Sequence, residues 1–124
     1  VANAVVHFEL AGPDPDALRA YYAGLFGWEA PAGSPVAEEV SDVDAYSFVE
    51  AADGGIPGGI GGGPGRAPRA TFYVEVPDVE AALAEAERLG GVRVLGPARN
   101  PAAGIVVGHF TDPAGNLVGV AGPA

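Results

Sequence analysis

His7 in VVHFEL and His109 in GHFTDPAGN are the only imidazoles among 124 residues, and there is no cysteine. Imidazole and carboxylate suit general acid–base work near neutral pH, and Glu9 stands two places after His7. Alternate residues of a strand share a face. His7 and Glu9 therefore belong to one face of VVHFEL, with Phe8 and Leu10 on the other. The same rule groups Thr71, Tyr73 and Glu75 in ATFYVEV. Phe110 reads as a core residue, which sends His109 and Thr111 to the opposite face. If the inward faces coincide, both histidines converge on one pocket.

Ligand pockets are mostly apolar with a few placed polar groups. The ligand-lining candidates are therefore His7, Glu9, Trp28, Tyr46, Thr71, Tyr73 and His109, while His7, Glu9 and His109 are the candidates for proton transfer. A plainer reading stands beside this one. It makes Glu9 a solvated carboxylate at the mouth of a sheet, and Phe48, Tyr21 and Phe26 core packing. No nucleophile or spacing rule forces a catalytic reading.

Composition narrows the classes. Without cysteine there is no disulfide, thiolate nucleophile or cysteine-based metal site. Sixteen acidic residues against six basic ones give a formal charge of −10. That charge repels nucleic-acid phosphates and anionic membranes and favours cationic small molecules in the surrounding field. No apolar run approaches the ~20 residues of a membrane span. The expectation is a cytoplasmic protein without a nucleic-acid or membrane partner.

The elements that position these residues occur twice. Sliding the chain by 64 places lays HFELAGPDPDALRAYYAGLFGWE on TFYVEVPDVEAALAEAERLGGVR without a gap, matching Pro13 with Pro77, Asp14 with Asp78 and Leu25 with Leu89. Each copy opens on an apolar run (Val5 to Leu10; Ala70 to Val76) of the kind strands prefer. Asp14 or Asp78 then sits at an N-cap position, Pro15 suits the first helical position, and apolar residues recur at helical spacing up to Gly27 or Gly90-Gly91. Three strands are expected after each helix: Trp28 to Ala30, Ala45 to Glu50 and Ile56 to Gly62, then Val92 to Leu95, Ile105 to Phe110 and Leu117 to Ala121. AADGG and DPAGN read as turns. The glycines of GGIPGGIGGG suggest a bent strand or close backbone approach rather than a phosphate loop. This gives one α+β domain of two βαβββ modules, 1–63 and 70–124, joined by a Gly/Pro linker at 64–69.

HFEL, YYAGLFGWE, GGIPGGIGGG, FYVEVPDVEAALAEAERLGG and GHFTDPAGNLVGV together resemble the vicinal oxygen chelate superfamily of glyoxalase I, extradiol dioxygenases and bleomycin-resistance proteins. The resemblance implies two βαβββ modules whose curled mixed sheets surround a shared cavity, often in a homodimer. In metal-dependent members each module supplies one ligand from its first strand and one from its last. His7 matches the first of these positions. Thr71 stands where a second His or Gln is expected, Gly119 where Glu is common, and GGIPGGIGGG offers no ligand. One retained ligand is too few for a catalytic divalent ion, which needs about three. The expectation is a binding protein without a metal cofactor, similar to the bleomycin-resistance branch and holding a small organic ligand. The alternative is an enzyme, either a lyase, isomerase or cyclase using His7, Glu9 or His109, or a metal-dependent glyoxalase- or dioxygenase-like one.

Overall fold

The computed structural model describes residues 2–124 and contains two compact units. One runs from His7 to Ala70; the other joins the segment up to Val6 with Thr71–Ala124. The amino-terminal segment is held by Asn3 Nδ2, which donates to the Glu75 carbonyl at 2.9 Å, and by Glu75 N–H, which donates to the Ala4 carbonyl at 2.9 Å. The elements in chain order are β1 (Val5–Gly12), α1 (Pro15–Phe26), β2 (Ser47–Val49), β3 (Gly58–Gly62), β4 (Arg69–Glu75), α2 (Val79–Arg88), β5 (Val92–Asn100), β6 (Ile105–Thr111) and β7 (Leu117–Pro123).

In the His7–Ala70 unit, β3 lies between β1, its parallel neighbour, and β2, its antiparallel one. Phe8 pairs with Gly58 and Glu9 with Gly59, so His7, Glu9, Gly59 and Gly61 share one face while Phe8, Leu10 and Ile60 share the other. Helix α1 covers the second face. It starts where Asp14 Oδ1 accepts from Ala17 N–H at 3.1 Å, with Pro15 next in line. It ends at Gly27, whose φ of 72° suits a residue without Cβ.

In the other unit the strand order is β4-β7-β6-β5; β4 and β7 run parallel and the remaining pairs antiparallel. Helix α2 is capped by Asp78, which accepts from Ala81 N–H at 3.0 Å. It buries Val79 and Leu83 against Val120, with Val106 and Phe110 alongside. Gly108 lets the helix come close, because a Cβ there would stand 2.7 Å from Leu83 Cδ1. Phe110 thus faces the helix, and by alternation His109 faces away from it.

Two of the expected strands differ. Trp28 to Ala30 forms no strand; the segment makes only an isolated bridge between Ala32 and Ser47. Pro31 has no N–H to offer a ladder, and Gly33 and Ser34 N–H both turn onto the Tyr46 carbonyl. The strand expected at Val92 to Leu95 runs on to Asn100 through Gly96 and Pro97. Register shifts on either side of Leu95 absorb the disruption, as bulges do. The DPAGN turn forms as its chemistry requires. Asp112 accepts from Ala114 N–H, Asn116 N–H and Asn116 Nδ2, and these bonds, the Asn116 side chain's first, hold its carboxyl below the usual range. Among the described residues no helix is long and apolar enough to cross a membrane.

Candidate functional site

In the His7–Ala70 unit four polar side chains form one chain of hydrogen bonds. His7 Nε2 lies 2.9 Å from the Tyr46 hydroxyl, which donates to Glu9 Oε2 at 3.0 Å. Arg69 Nε and Nη2 donate to Glu9 Oε1 at 3.2 and 2.5 Å, and Nη2 also reaches the Val40 carbonyl at 2.9 Å. Glu9 is only 2% exposed. A buried carboxylate is costly unless it is paired and hydrogen-bonded, and here both oxygens are engaged. Tyr46, a ligand-lining candidate from the sequence, is the central hydrogen-bonding group.

The glycines of β3 explain how the Tyr46 ring fits. A Cβ at Gly61 would stand 2.6 Å from Tyr46 Cδ1, and one at Gly59 2.7 Å from Tyr46 Cε2. The ring lies over a bare backbone. Phe48 is 44% exposed and its ring centre lies 6.4 Å from that of His7, so it is a surface neighbour of the site rather than core. Trp28 is not brought to this face. It packs on Phe8, Tyr22 and Phe26 with centroid separations of 5.0 to 5.6 Å, and Phe8 points away from His7 and Glu9 by alternation.

The other unit holds a separate pair. Tyr73 and His109 are each 2% exposed, and the Tyr73 hydroxyl lies 2.6 Å from His109 Nε2. Both side chains stand over Gly119, which pairs with Tyr73 on β4 and with His109 on β6. A Cβ at Gly119 would stand 2.6 Å from Tyr73 Cε2. Thr71 Oγ1 donates to the Leu117 carbonyl at 2.9 Å. The two units thus invert one arrangement: in one a first-strand His and Glu meet a later Tyr, in the other a first-strand Tyr meets a later His.

These donors do not fit the divalent metal that the superfamily resemblance implies. His7 Nε2 is taken up by Tyr46, and the Glu9 carboxylate is already neutralised by a guanidinium, whose charge opposes an incoming cation. Thr71 is committed to a backbone carbonyl, and the Tyr73 ring occupies the space a side chain at Gly119 would need. Among the described residues no three His, Cys, Asp or Glu side chains are grouped to hold an ion.

Burial pushes the His7 imidazole below its ordinary value of 6.5, with the charge of Glu9 opposing in part. The unfolded chain therefore binds the His7 proton at a higher pH than the folded one. Stability is lost as pH falls through the unfolded value toward the folded one, and is fully present above both. Replacing His7 by Gln should flatten the dependence of unfolding free energy on pH between about 7.5 and about 5. Urea titrations at several pH values measure it, and an unchanged slope in H7Q would contradict the assignment.

Arg69 was not anticipated from sequence, because it stands at the end of what reads as a Gly/Pro linker. The signal was present: Arg69, Thr71, Tyr73 and Glu75 have the same strand phase.

Known structures share the architecture. A methylmalonyl-CoA epimerase in complex with methylmalonyl-CoA and NH4+ superposes with a TM-score of 0.66 at 17% identity, covering 100% of this chain and 96% of that one. Methylmalonyl-CoA epimerase from Mycobacterium tuberculosis gives 0.61 at 18% identity, covering 97% and 87%. A Legionella pneumophila structure described as an NAD-dependent benzaldehyde dehydrogenase gives 0.61 at 10% identity, covering 95% and 98%. At such identities the likeness is one of fold. No curated protein matches in sequence. The family model of the glyoxalase-like domain does match, over residues 7–121. That stretch takes in the capped helices, the glycine-lined strands and every polar residue of the two clusters, and the chain belongs to the glyoxalase-like domain family.

Proposed function

We propose that this glyoxalase-like chain binds a small organic molecule without a metal ion, at the face of the His7–Ala70 unit that carries His7, Tyr46 and Glu9. The observation that carries the reading is the Glu9–Arg69 pair: the positive charge at this carboxylate is a guanidinium, held at 2.5 Å. A prearranged set of hydrogen-bonding groups beside an exposed aromatic ring, Phe48, suits a compact ligand with an apolar part and a polar group. Small organic ligands also occupy the epimerase structures, methylmalonyl-CoA among them. The net charge of −10 favours approach of a cationic ligand, while Arg69 removes the local charge of Glu9. Exposed Tyr21, Leu25 and Phe26 on α1 support a homodimer, and a cytoplasmic location is proposed with it.

Calorimetric titration against hydrophobic and cationic natural products and acyl-CoA esters tests the reading. The expected result is one compound bound more tightly than millimolar, equally well with and without chelator, and weakened at least tenfold in H7A. Absence of any such compound, or binding abolished by chelator, would overturn it.

One observation favours a second reading. A half-buried His7 whose pKa burial lowers, with Tyr46 and Glu9 hydrogen-bonded behind it, has the parts of an acid–base catalyst. Turnover that survives chelators and is lost in H7A would favour this enzyme over the binding protein.

A further inference from the structure

The two copies of the repeat treat the space under their helices differently. Leu18, Tyr21, Tyr22 and Leu25 of the first copy stand where the second has Ala82, Glu85, Ala86 and Leu89. In each copy these four places share one helix face. On α1 the Tyr22 ring packs against Phe26 and Trp28, with centroid separations of 6.0 and 5.6 Å. On α2 the Tyr22 position is Ala86, and a cleft of about 410 Å³ stays open between the helix and the sheet of its own unit. Val74, Phe110 and Val120 give it an apolar floor, and Leu89, 66% exposed, stands at its edge. Two carboxylates line the same cleft, Glu85 from the helix and Asp112 from the turn after β6. The groups that donate to Asp112 are all neutral: Ala114 N–H, Asn116 N–H and Asn116 Nδ2. They fix its position and leave its negative charge in place. Glu85 is paired with Arg88, but both side chains are more than half exposed, and such pairs are weak.

We propose that this cleft is a second binding site, for a lipophilic amine: its apolar body lies on Val74, Phe110 and Val120, and its ammonium group meets Glu85 and Asp112. The body takes the kind of place that an aromatic ring fills in the first copy. An apolar pocket with a few polar groups to one side orients a ligand that has one charged end. The cleft also reaches the carboxyl end of α2 at Leu89 and Gly91, where the helix dipole favours a cation. The net charge of −10 concentrates cations around the chain and disfavours anions. A second copy of the chain suits the cleft less well, because its sixteen acidic residues against six basic ones repel these two carboxylates. The site belongs to the unit that contains α2 and is independent of the ligand reading given for the His7 face.

Amide NMR of the nitrogen-15-labelled chain, titrated at neutral pH with naphthylethylamine, tests it. Naphthylethanol and naphthylpropionate are the neutral and anionic counterparts. The amine is expected to give saturable shifts at Val74, Ala86, Phe110 and Val120, with a submillimolar dissociation constant. The alcohol should bind about tenfold more weakly, since it lacks the charge, and the acid not at all. Ala86→Tyr, which fills the cleft with the residue of the first copy, should lose binding. Glu85→Gln, at an exposed position, should weaken the amine about threefold, the size an exposed ion pair allows, and leave the alcohol unchanged. It decides the matter if Ala86→Tyr does not fold. No saturable shift, shifts confined to the His7–Ala70 unit, equal affinity for amine and alcohol, or undiminished binding in A86Y or E85Q would each overturn the proposal. So would self-association that A86Y abolishes in a chain that binds no amine, which would make a second copy the occupant.

Discussion

Glu9→Ala is expected to lower the unfolding free energy by about 3 kcal/mol, the low end of what removing one partner of a buried pair costs. Two groups lose a partner together. The Arg69 guanidinium, its side chain 17% exposed, keeps only the Val40 carbonyl among the acceptors named above, and the Tyr46 hydroxyl loses the oxygen it donates to. The cost arises from stranding the cation as much as from losing the contact. Glu9→Gln should cost less, since an amide keeps the shape and one acceptor. Urea denaturation at neutral pH measures both. A loss below about 1 kcal/mol in E9A would place the pair in the class of exposed ion pairs and contradict the description of the site.

Gly119→Glu is the second large effect. It installs the residue that the superfamily resemblance leads one to expect, and it should fail. The new Cβ alone would lie 2.6 Å from Tyr73 Cε2, and overpacking of this kind costs about 1–3 kcal/mol. The carboxylate would then enter a face where Tyr73 and His109 are each 2% exposed, with a desolvation cost of several kcal/mol more. The expected sum exceeds about 3 kcal/mol, a fall in melting temperature on the order of 10 °C, with no divalent-metal affinity gained. Gly119→Ala should cost about 1–3 kcal/mol through the clash alone. A Gly119→Glu protein as stable as the parent would show that the ring is free to move aside, and would reopen the metal reading.

The α+β class and the helix boundaries were legible because local chemistry writes them. Asp14, Pro15 and Gly27 mark α1 at its two ends, and Asp78 marks the start of α2. Strand phase also read well: Phe8 and Phe110 do face the helices, opposite to His7 and His109. Residues that depend on long-range packing were less legible. Trp28 was placed with the ligand-lining set, but its ring is claimed by Phe8, Tyr22 and Phe26. Tyr46 is legible as a pocket candidate but not as a hydrogen-bonding hub, because nothing local says that its hydroxyl meets Glu9, 37 residues away. Arg69 meets Glu9 across 60 residues. The missing ligands at Thr71 and Gly119 read in the sequence as simple losses. In the structure each position serves something else, a carbonyl in one case and an aromatic ring in the other.

The central proposal is that His7 and Glu9 are engaged by Tyr46 and Arg69 and bind no metal ion. Calorimetric titration of chelator-treated protein with Mn²⁺, Co²⁺, Ni²⁺ and Zn²⁺ tests it most directly, with H7A as the reference. The expected result is no saturable site tighter than millimolar and no difference between the two proteins. One ion bound per chain at micromolar affinity, and lost in H7A, would contradict the account.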